Sequence, residues 1–365
     1  MSRAYNFSAG PGTLPESVLV ELQAALLEFS TCRAGIMEIS HRSQPFEDVL
    51  QSAKARMRRV LGVPEDYAIL FLQGGASLQF YQVPLNLALP TDATDYIDTG
   101  TWASKAYAEA KTVSDAKVIW SSKATTYDRV PAPNDVKPRE AAAFVHYTTN
   151  NTIYGTQCAA PPATDKRLFA DMSSDIASRP IDVARHDVIY AGAQKNLGPS
   201  GVTAVLLSPW ALARVAEVKA ARGGLPSMLD YTVAAANDSM YNTPNTFGIF
   251  ALERVLAWVE GQGGLPAVAQ RISGRAARLY AALDASDFWK PHAQPDSRSS
   301  MNVTFRLKNG DLEGTFVKEA QAAGLMELKG HRSVGGMRAS LYNALPDEAV
   351  EALIAFMGDF ERRNG

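Results

Sequence analysis

Short apolar runs that alternate with helical patterns are the feature that most constrains the fold of this chain. Such runs occur, in order, in "YAILFLQGG", "ATDYIDTG", "AKVIW", "AAAFVHYTT", "RLFADMSS", "VIYAGAQ" and "AVLLSP", and several of them are apolar without a break. Unbroken runs are typical of strands that are buried on both faces. The alternation therefore predicts an α/β protein with a mostly parallel sheet and crossover helices.

Beyond the segment "NTPNTFGIFALERVLAWVEGQGG" the alternation gives way to longer helical patterns, with predicted strands in "MNVTFRL" and "MRASLYN". A chain of 365 residues is long enough for one large domain and a smaller one. We therefore predict a large domain over residues 16–260 and a small α+β domain over residues 261–365. Near the N-terminus, the spacing of Thr13 and Glu16 predicts a capping box at the start of the first helix.

The composition is that of an ordinary globular protein, with 46% hydrophobic and 20% charged residues. A net charge of -2 gives no cationic surface typical of nucleic-acid binding, and no apolar run is long enough for a membrane helix. The N-terminus lacks an apolar signal segment, so the expected compartment is the cytoplasm. Cys32 and Cys158 are too few for a disulfide framework, and no histidine stands at a metal-ligand spacing, so no metal site is predicted.

Four polar or aromatic features follow the predicted strands, at the edge where open α/β sheets bind their ligands. "LQGGAS" places a glycine pair at the start of a helix, where free backbone N–H groups suit a phosphate. Asp171 ends one strand, Trp102 starts a helix after another, and Lys195 stands between a strand and the glycine-containing "NLGPSG". Taken singly, these features are more often a tight turn, a helix cap, a cover of the core and a surface lysine.

Together the four features supply what is needed to hold pyridoxal 5'-phosphate. A lysine amine forms the Schiff base, a carboxylate pairs with the pyridine nitrogen, an aromatic ring stacks on the cofactor, and a helix N-terminus receives the phosphate. The combination therefore favours a pyridoxal phosphate enzyme.

From "YNFSAGPGTLPESVL" to "KGHRSVGGMRASLYNALP" the chain resembles the phosphoserine aminotransferases, which belong to the class V branch of the aspartate-aminotransferase-like fold, fold type I. The resemblance also runs through "ISHRS", "LQGGASLQF", "TGTWASKA", "ADMSSDIASRPIDV", "YAGAQKNLGPSG" and "YNTPNTF". It implies a large domain with a mostly parallel seven-stranded sheet between helices, and an N-terminal segment, residues 1–15, that associates with the small domain. It also implies a homodimer with shared active sites.

The resemblance implies a role for each residue of the cofactor site. Lys195 would form the Schiff base, Asp171 would hold the pyridine nitrogen, Trp102 would stack on the ring, and Thr152 would donate to the phenolic oxygen. The cofactor phosphate would be bound by Ala76, Ser77, Gln194 and, from the neighbouring subunit, Asn242 and Thr243.

The activity that the resemblance implies is a reversible ping-pong transfer of the amino group between L-glutamate and 3-phosphohydroxypyruvate. The products are O-phospho-L-serine and 2-oxoglutarate, in serine biosynthesis, and some relatives also serve the 4-phospho-hydroxythreonine step of pyridoxine synthesis. Arg338 matches the anchor of the substrate's α-carboxylate, since arginine binds carboxylates through a planar fork of donors. The positions matching a cationic cluster for the distal anion, some of them contributed across the dimer, are His41, Arg42, His331 and Arg332.

Two other functions stay open. An alanine-glyoxylate or serine-pyruvate type aminotransferase is the main alternative, although its substrates lack the distal anion that the cationic cluster would bind. A non-catalytic pyridoxal phosphate-binding protein is the remote one. The chain departs from part of the family at Ser77, where some members carry an arginine, and this leaves open how tightly the substrate phosphate is held.

Overall fold

The computed structural model describes residues 3–365, which form ten α-helices and fourteen β-strands. The helices are α1 (Glu16–Leu27), α2 (Gln44–Leu61), α3 (Gly75–Leu87), α4 (Thr101–Ala110), α5 (Pro209–Ala221), α6 (Tyr231–Ala236), α7 (Thr246–Gly261), α8 (Gly264–Asp284), α9 (Glu313–Ala322) and α10 (Asp347–Asn364). The strands are β1 (Tyr5–Asn6), β2 (Ala68–Leu72), β3 (Ala93–Asp98), β4 (Asp115–Ser121), β5 (Ala142–Thr148), β6 (Asn150–Asn151), β7 (Thr156–Gln157), β8 (Arg167–Asp171), β9 (Val188–Gly192), β10 (Thr203–Leu207), β11 (Trp289–Pro291), β12 (Asn302–Leu307), β13 (Leu325–Met326) and β14 (Met337–Ser340).

Seven strands form the central sheet, in the order β2-β10-β9-β8-β5-β3-β4. β10 runs antiparallel to both of its neighbours, and the remaining adjacent pairs are parallel. Every residue of β9 and β10 is buried, as the unbroken apolar runs predicted. The mostly parallel seven-stranded sheet is confirmed.

Helices cover both faces of this sheet. One core is built on α1, α2 and α7, and the other contains buried residues of α3, α4, α5 and α6. The second core includes Phe144 and Phe169, which lie on neighbouring strands with ring centroids 4.0 Å apart. Crossover helices on both faces leave the carboxyl ends of the parallel strands open at one edge, where a ligand can enter.

A separate apolar core lies in the C-terminal part, where β11, β12 and β14 form an antiparallel sheet packed against helices that include α8 and α10. The N-terminal segment joins this core, because Phe7 is fully buried in it and β1 pairs with β13. α7 ends at Gly261, near the predicted boundary. The division into domains at residues 15 and 260 stays a prediction.

The predicted capping box is wrong. α1 starts after Pro15, and no side chain caps its N-terminus. The Thr13 hydroxyl instead donates a 2.9 Å hydrogen bond to the carbonyl oxygen of Asn6, which fixes the N-terminal segment beside the helix start.

Within residues 3–365, no helix has both the length and the apolar character that a membrane crossing requires.

Candidate active site

A cavity of about 370 Å³ lies at the carboxyl edge of the central sheet. The loops that line it follow β2, β3, β5, β8 and β9, and the N-terminal and C-terminal parts of the chain close it from the other side. The predicted site residues that line it are Ala76, Ser77, Trp102, Thr152, Asp171, Gln194, Lys195, His331 and Arg338. The topology thus gathers residues from distant parts of the chain into one cavity.

Lys195 lies in the turn that follows β9. Backbone N–H groups of Leu197 and Gly198 donate to the Ala193 carbonyl at 3.0 and 2.9 Å, so the turn around the lysine is closed. Its Nζ atom donates a 2.7 Å hydrogen bond to Thr152 Oγ1. Burial lowers the pKa of the Lys195 amine to about 8, and this effect exceeds that of the Asp171 charge, which raises the pKa. A larger fraction of this amine is therefore neutral near pH 7 than of an ordinary lysine.

Asp171 is the last residue of β8, and only 4% of it is exposed. Its Oδ1 atom accepts two hydrogen bonds from Ser173, one from the backbone N–H at 2.9 Å and one from the hydroxyl at 2.6 Å. Within residues 3–365 no donor contacts Oδ2, so this oxygen is available to a ligand in the cavity. Burial raises the pKa of Asp171, while the Ser173 hydrogen bonds and the Lys195 charge oppose the increase.

Trp102 is the second residue of α4 and lines the cavity. Its indole Nε1 is buried and has no hydrogen-bond partner within residues 3–365, which is unusual for a buried tryptophan. The ammonium of the exposed Lys105 lies 4.9 Å from the ring centroid, within cation–π distance.

The first residues of α3 line the same cavity. Gly74 and Gly75 have φ of 91° and 66°, and glycine adopts this left-handed region without the strain that a Cβ atom brings. The first N–H groups of a helix have no acceptor within the helix, and here Ala76 and Ser77 line the cavity. An anionic group suits this position.

The remaining wall of the cavity carries Arg338 and His331. Arg338 Nη1 donates to the Thr152 carbonyl oxygen at 3.4 Å, and within residues 3–365 no carboxylate lies within salt-bridge distance of its guanidinium. His331 hydrogen-bonds Ser333 Oγ through Nδ1 at 2.7 Å. Burial and the charges of Arg338, Arg332 and Lys105 lower the pKa of His331. With no carboxylate partner among the described residues, the Arg338 guanidinium makes this wall a candidate site for an anion.

The other predicted site residues do not line this cavity within one chain. His41 and Arg42 lie in the loop before α2, where Arg42 Nε is 3.4 Å from His41 Nε2, and Arg332 is exposed. Asn242 and Thr243 are exposed between α6 and α7, and the Thr243 carbonyl accepts from Gln73 at 3.4 Å. The prediction that a second subunit contributes such residues stays a prediction.

Sequence reasoning missed several residues of the site. Ser173 holds Asp171, and Asn150 lines the cavity from β6. The N-terminal segment packs on the lysine turn, since Gly12 donates from its N–H to the Gln194 carbonyl at 2.7 Å. A Cβ atom on Gly12 would lie 2.8 Å from both the Lys195 carbonyl and the Tyr342 ring, so glycine permits this approach. The glycines of "SAGPG" were the sequence feature that could have indicated this close approach of two backbones.

Within the described part of the chain, no group of three or more histidine, cysteine, aspartate or glutamate side chains is arranged to hold a metal ion.

Comparison with known proteins shows the family to which this chain belongs. Residues 4–353 match the model of the family described as aminotransferase class-V. The phosphoserine aminotransferase of Geobacillus kaustophilus (strain HTA426) is 52% identical over 364 residues, which cover 100% of this chain and 99% of that protein.

Two solved structures are similar over almost the whole chain. Phosphoserine aminotransferase from Bacillus circulans subsp. alkalophilus is 45% identical, with a TM-score of 0.95 and coverage of 100% of this chain and 99% of the other. The PLP-bound phosphoserine aminotransferase from Trichomonas vaginalis is 36% identical, with a TM-score of 0.92 and coverage of 98% and 100%. These similarities confirm the predicted fold class and family resemblance. The chain belongs to the class-V aminotransferase family and, within that family, to the phosphoserine aminotransferases.

Proposed function

We propose that this chain is a pyridoxal phosphate-dependent phosphoserine aminotransferase, which transfers the amino group reversibly between L-glutamate and 3-phosphohydroxypyruvate. The observation that carries the proposal is the convergence of the Lys195 amine, the Asp171 carboxylate and the Trp102 ring on one cavity beside the N-terminus of α3. These are the groups that pyridoxal phosphate needs, in a chain whose full-length relatives are phosphoserine aminotransferases.

The cavity suits the cofactor in three respects. Asp171 Oδ2 has no donor within residues 3–365, so it can accept a hydrogen bond from a protonated pyridine nitrogen. The buried Trp102 Nε1 has no partner in the same part of the chain and stands beside space for a ligand. A Cβ atom built on Gly75 would meet nothing within 4 Å, which leaves room for a phosphate at the start of α3.

Each residue would then hold one part of the cofactor. Lys195 would bind covalently through its amine, Asp171 would pair with the pyridine nitrogen, Trp102 would stack on the ring, and Thr152 would donate to the phenolic oxygen. The phosphate would be bound by Ala76, Ser77 and Gln194, together with Asn242 and Thr243 of a second subunit. When bound, pyridoxal phosphate supplies an electron sink for the bond that breaks at the substrate's Cα.

Lys195 would move the proton at the substrate's Cα. Only a neutral amine can accept this proton. Because burial lowers the pKa of Lys195 to about 8, part of the amine is neutral near pH 7. The hydroxyl of Thr152, 2.7 Å from Nζ, restricts where the amine can point. The lysine would therefore act as a positioned base at Cα and then, once protonated, as the acid that gives this proton to the bound cofactor.

Asp171 would keep the cofactor in its reactive form. A cation placed at Oδ2 favours the ionised carboxylate, which opposes the increase in pKa that burial causes. The two hydrogen bonds from Ser173 to Oδ1 also favour the ionised form and fix the orientation of the carboxylate. The ionised carboxylate in turn keeps the pyridine nitrogen protonated.

The substrates carry two negative centres, and the predicted substrate-binding residues would supply partners for both. Arg338 has no carboxylate partner within residues 3–365 and would bind the α-carboxylate shared by both substrates. His331 and Arg332 would bind the phosphate or the glutamate side-chain carboxylate, with His41 and Arg42 contributed across a homodimer. This distal cluster has no purpose in an alanine-glyoxylate or serine-pyruvate type enzyme, which is the less supported alternative.

The wider setting is part of the same proposal. We place the enzyme in serine biosynthesis in the cytoplasm, as a homodimer, with the 4-phospho-hydroxythreonine step of pyridoxine synthesis as a further reaction. The distal cluster supports this further step, because its substrate also carries a phosphate.

Steady-state transamination is the direct test. With glutamate as donor, the purified enzyme supplied with pyridoxal phosphate is expected to aminate 3-phosphohydroxypyruvate with a far higher kcat/KM than pyruvate or glyoxylate. Initial rates at several fixed glutamate concentrations should give parallel double-reciprocal lines, as ping-pong kinetics require. Preference for pyruvate or glyoxylate would reject the proposed substrate in favour of the alternative. Absence of any transamination would reject the activity.

A further inference from the structure

Residues 150–155, here called the Thr152 loop, follow β5 of the central sheet and contact the C-terminal part of the chain. It starts at β6 and carries Thr152, the hydrogen-bond partner of Lys195. Three of its backbone carbonyls accept hydrogen bonds from the C-terminal part. Thr304 Oγ1 donates to the Ile153 carbonyl at 3.3 Å, the Ser299 N–H donates to the Gly155 carbonyl at 2.9 Å, and Arg338 donates to the Thr152 carbonyl at 3.4 Å.

Asn150 begins this loop and is 2% exposed. Its Nδ2 donates to Ser174 Oγ and to Asn302 Oδ1, both at 2.8 Å, and its Oδ1 accepts from the Ser299 hydroxyl. Both polar atoms of this buried side chain are therefore engaged. Leaving one of these atoms unpaired would carry a desolvation cost.

Asn302 occupies the other side of the contact, as the first residue of β12, and is fully buried. While Oδ1 accepts from Asn150, its Nδ2 donates to Ser340 Oγ at 3.0 Å and to the Tyr342 hydroxyl at 3.3 Å. Ser340 lies directly opposite Asn302 in the pairing of β12 with β14. Ser340 is two residues beyond Arg338 on the same strand, so the Asn302 amide joins the Thr152 loop to the strand that carries the arginine.

The backbones also approach closely at this contact. Gly155 has φ of 71°, and a Cβ atom on it would lie 2.7 Å from the Asn302 carbonyl oxygen. A side chain at this position would therefore push the loop off β12.

We infer that Asn302 is a positioning residue for the reaction. It docks the Thr152 loop on β12 and thereby holds two groups at a fixed separation, Thr152 at the Lys195 amine and the Arg338 guanidinium at the substrate carboxylate. The inference rests on the proposed function, because that function assigns the α-carboxylate to Arg338. Asn302 itself is buried beneath the loop and acts through these two residues.

Three variants of the holoenzyme test this inference. Asn302→Ala removes the amide, and Thr304→Val removes a different hydrogen bond to the same loop with little change in volume. Asn86→Ala is the matched control. Asn86 is also fully buried, and its Nδ2 donates to the Leu229 carbonyl at 2.7 Å and to the Gln82 carbonyl at 2.8 Å, away from the cavity lining.

Two measurements are made on each variant. Hydrogen exchange of the backbone amides of residues 151–155 reports docking of the loop without any assumption about the reaction. Steady-state kcat and KM for glutamate and for 3-phosphohydroxypyruvate report the positions of Thr152 and Arg338. A loss of folded protein lowers kcat and leaves KM unchanged, whereas a displaced Arg338 raises KM for both substrates.

For Asn302→Ala we expect faster exchange confined to the loop and a fall of about tenfold in kcat/KM, equal for the two substrates and including a rise in KM. Thr304→Val should also speed loop exchange and lower kcat/KM, by a smaller factor. If Asn302→Ala does not fold, Thr304→Val tests the docking of the loop in its place. Asn86→Ala should leave both unchanged.

Unchanged loop exchange in Asn302→Ala and Thr304→Val would overturn the inference, as would faster exchange with unaltered kinetics. An equal effect of Asn86→Ala would also overturn it. If the wild-type enzyme does not transfer the amino group from glutamate to 3-phosphohydroxypyruvate, the proposed function fails by itself, and loop exchange alone then decides whether Asn302 docks the loop.

Discussion

Lys195 and Thr152 face each other across the end of the strand that carries Asp171. Their side chains meet at 2.7 Å between Nζ and Oγ1. In the sheet order β9-β8-β5, the strand that carries Asp171 lies between β9, which precedes Lys195, and β5, from which the chain leads through β6 to Thr152. Neighbouring strand ends of the central sheet thus place the amine and the carboxylate, and the Thr152 loop places the hydroxyl. All three groups line one cavity, where a bound ligand would meet them together.

Replacement of Lys195 by alanine should abolish transamination, with a fall in kcat of roughly a thousandfold or more, because the base at Cα is lost. Borohydride reduction should fix pyridoxal phosphate covalently to the wild-type chain and leave the variant unlabelled, as mass spectrometry of the intact proteins would record. Lys290→Ala, at an exposed lysine of β11, is the control and should keep both activity and labelling. Full turnover by Lys195→Ala would contradict the assignment.

The Lys195 amine should react with acylating reagents at unusually low pH when the protein is freed of cofactor. Burial lowers its pKa to about 8, so the reactive neutral form appears as the pH rises through about 8. An ordinary exposed lysine has a pKa of about 10.4, so its neutral form becomes abundant only at much higher pH. The pH dependence of acylation at the peptide that contains Lys195, measured by mass spectrometry, gives the midpoint directly.

Asp171→Asn should move this midpoint further down. The negative charge of Asp171 favours the protonated amine and so raises the pKa of Lys195, and its removal has the opposite effect. A midpoint that rises in the variant would show that the two charges do not interact as the structure indicates.

Arg338 and Arg332 should differ in what they recognise. Arg338→Lys keeps the charge but loses the fork of donors, so kcat/KM should fall roughly 10- to 100-fold for glutamate and for 3-phosphohydroxypyruvate alike. Arg332→Ala should reduce kcat/KM for the phosphorylated substrate more than for a phosphate-free keto acid. The exposed Arg363 of α10 provides the control, Arg363→Ala. Equal losses for both acceptors in Arg332→Ala would indicate a structural effect.

Much of the fold was predictable because its signals are local. Unbroken apolar runs mark the buried strands, and a glycine pair marks the start of α3. The direction of β10 was not predictable, since an apolar run such as "TAVLL" is compatible with parallel and antiparallel pairing. The capping box was wrong because local spacing cannot show that Thr13 finds a better acceptor in Asn6.

The site residues were likewise predictable only where the sequence signal is local. Asp171 and Lys195 follow strand ends, and the sequence pattern alone points to that edge of the sheet. The contact between Asn150 and Asn302 joins residues 152 positions apart, and neither stands in a pattern that marks it. Such contacts depend on how the C-terminal sheet packs on the central one, which no local pattern encodes.

Sharing of the active site between subunits gives the last prediction. Asn242 and Thr243 are exposed in this chain and do not line its cavity, while a phosphate at the start of α3 would still need donors. If they act on the neighbouring subunit's cofactor, Lys195→Ala and Asn242→Ala homodimers are both impaired for different reasons. A mixed dimer then has one site with both defects and one with neither.

Mixing the two variants under conditions of subunit exchange should therefore restore activity, up to about a quarter of the wild-type value if exchange is random and the sites act independently. Exchange itself is followed by native mass spectrometry with subunits of distinct mass. Mixing Lys195→Ala with Lys195→Arg is the control and should restore nothing, because no intact site can form. Proven exchange without recovery in the first mixture would mean that each chain completes its own site.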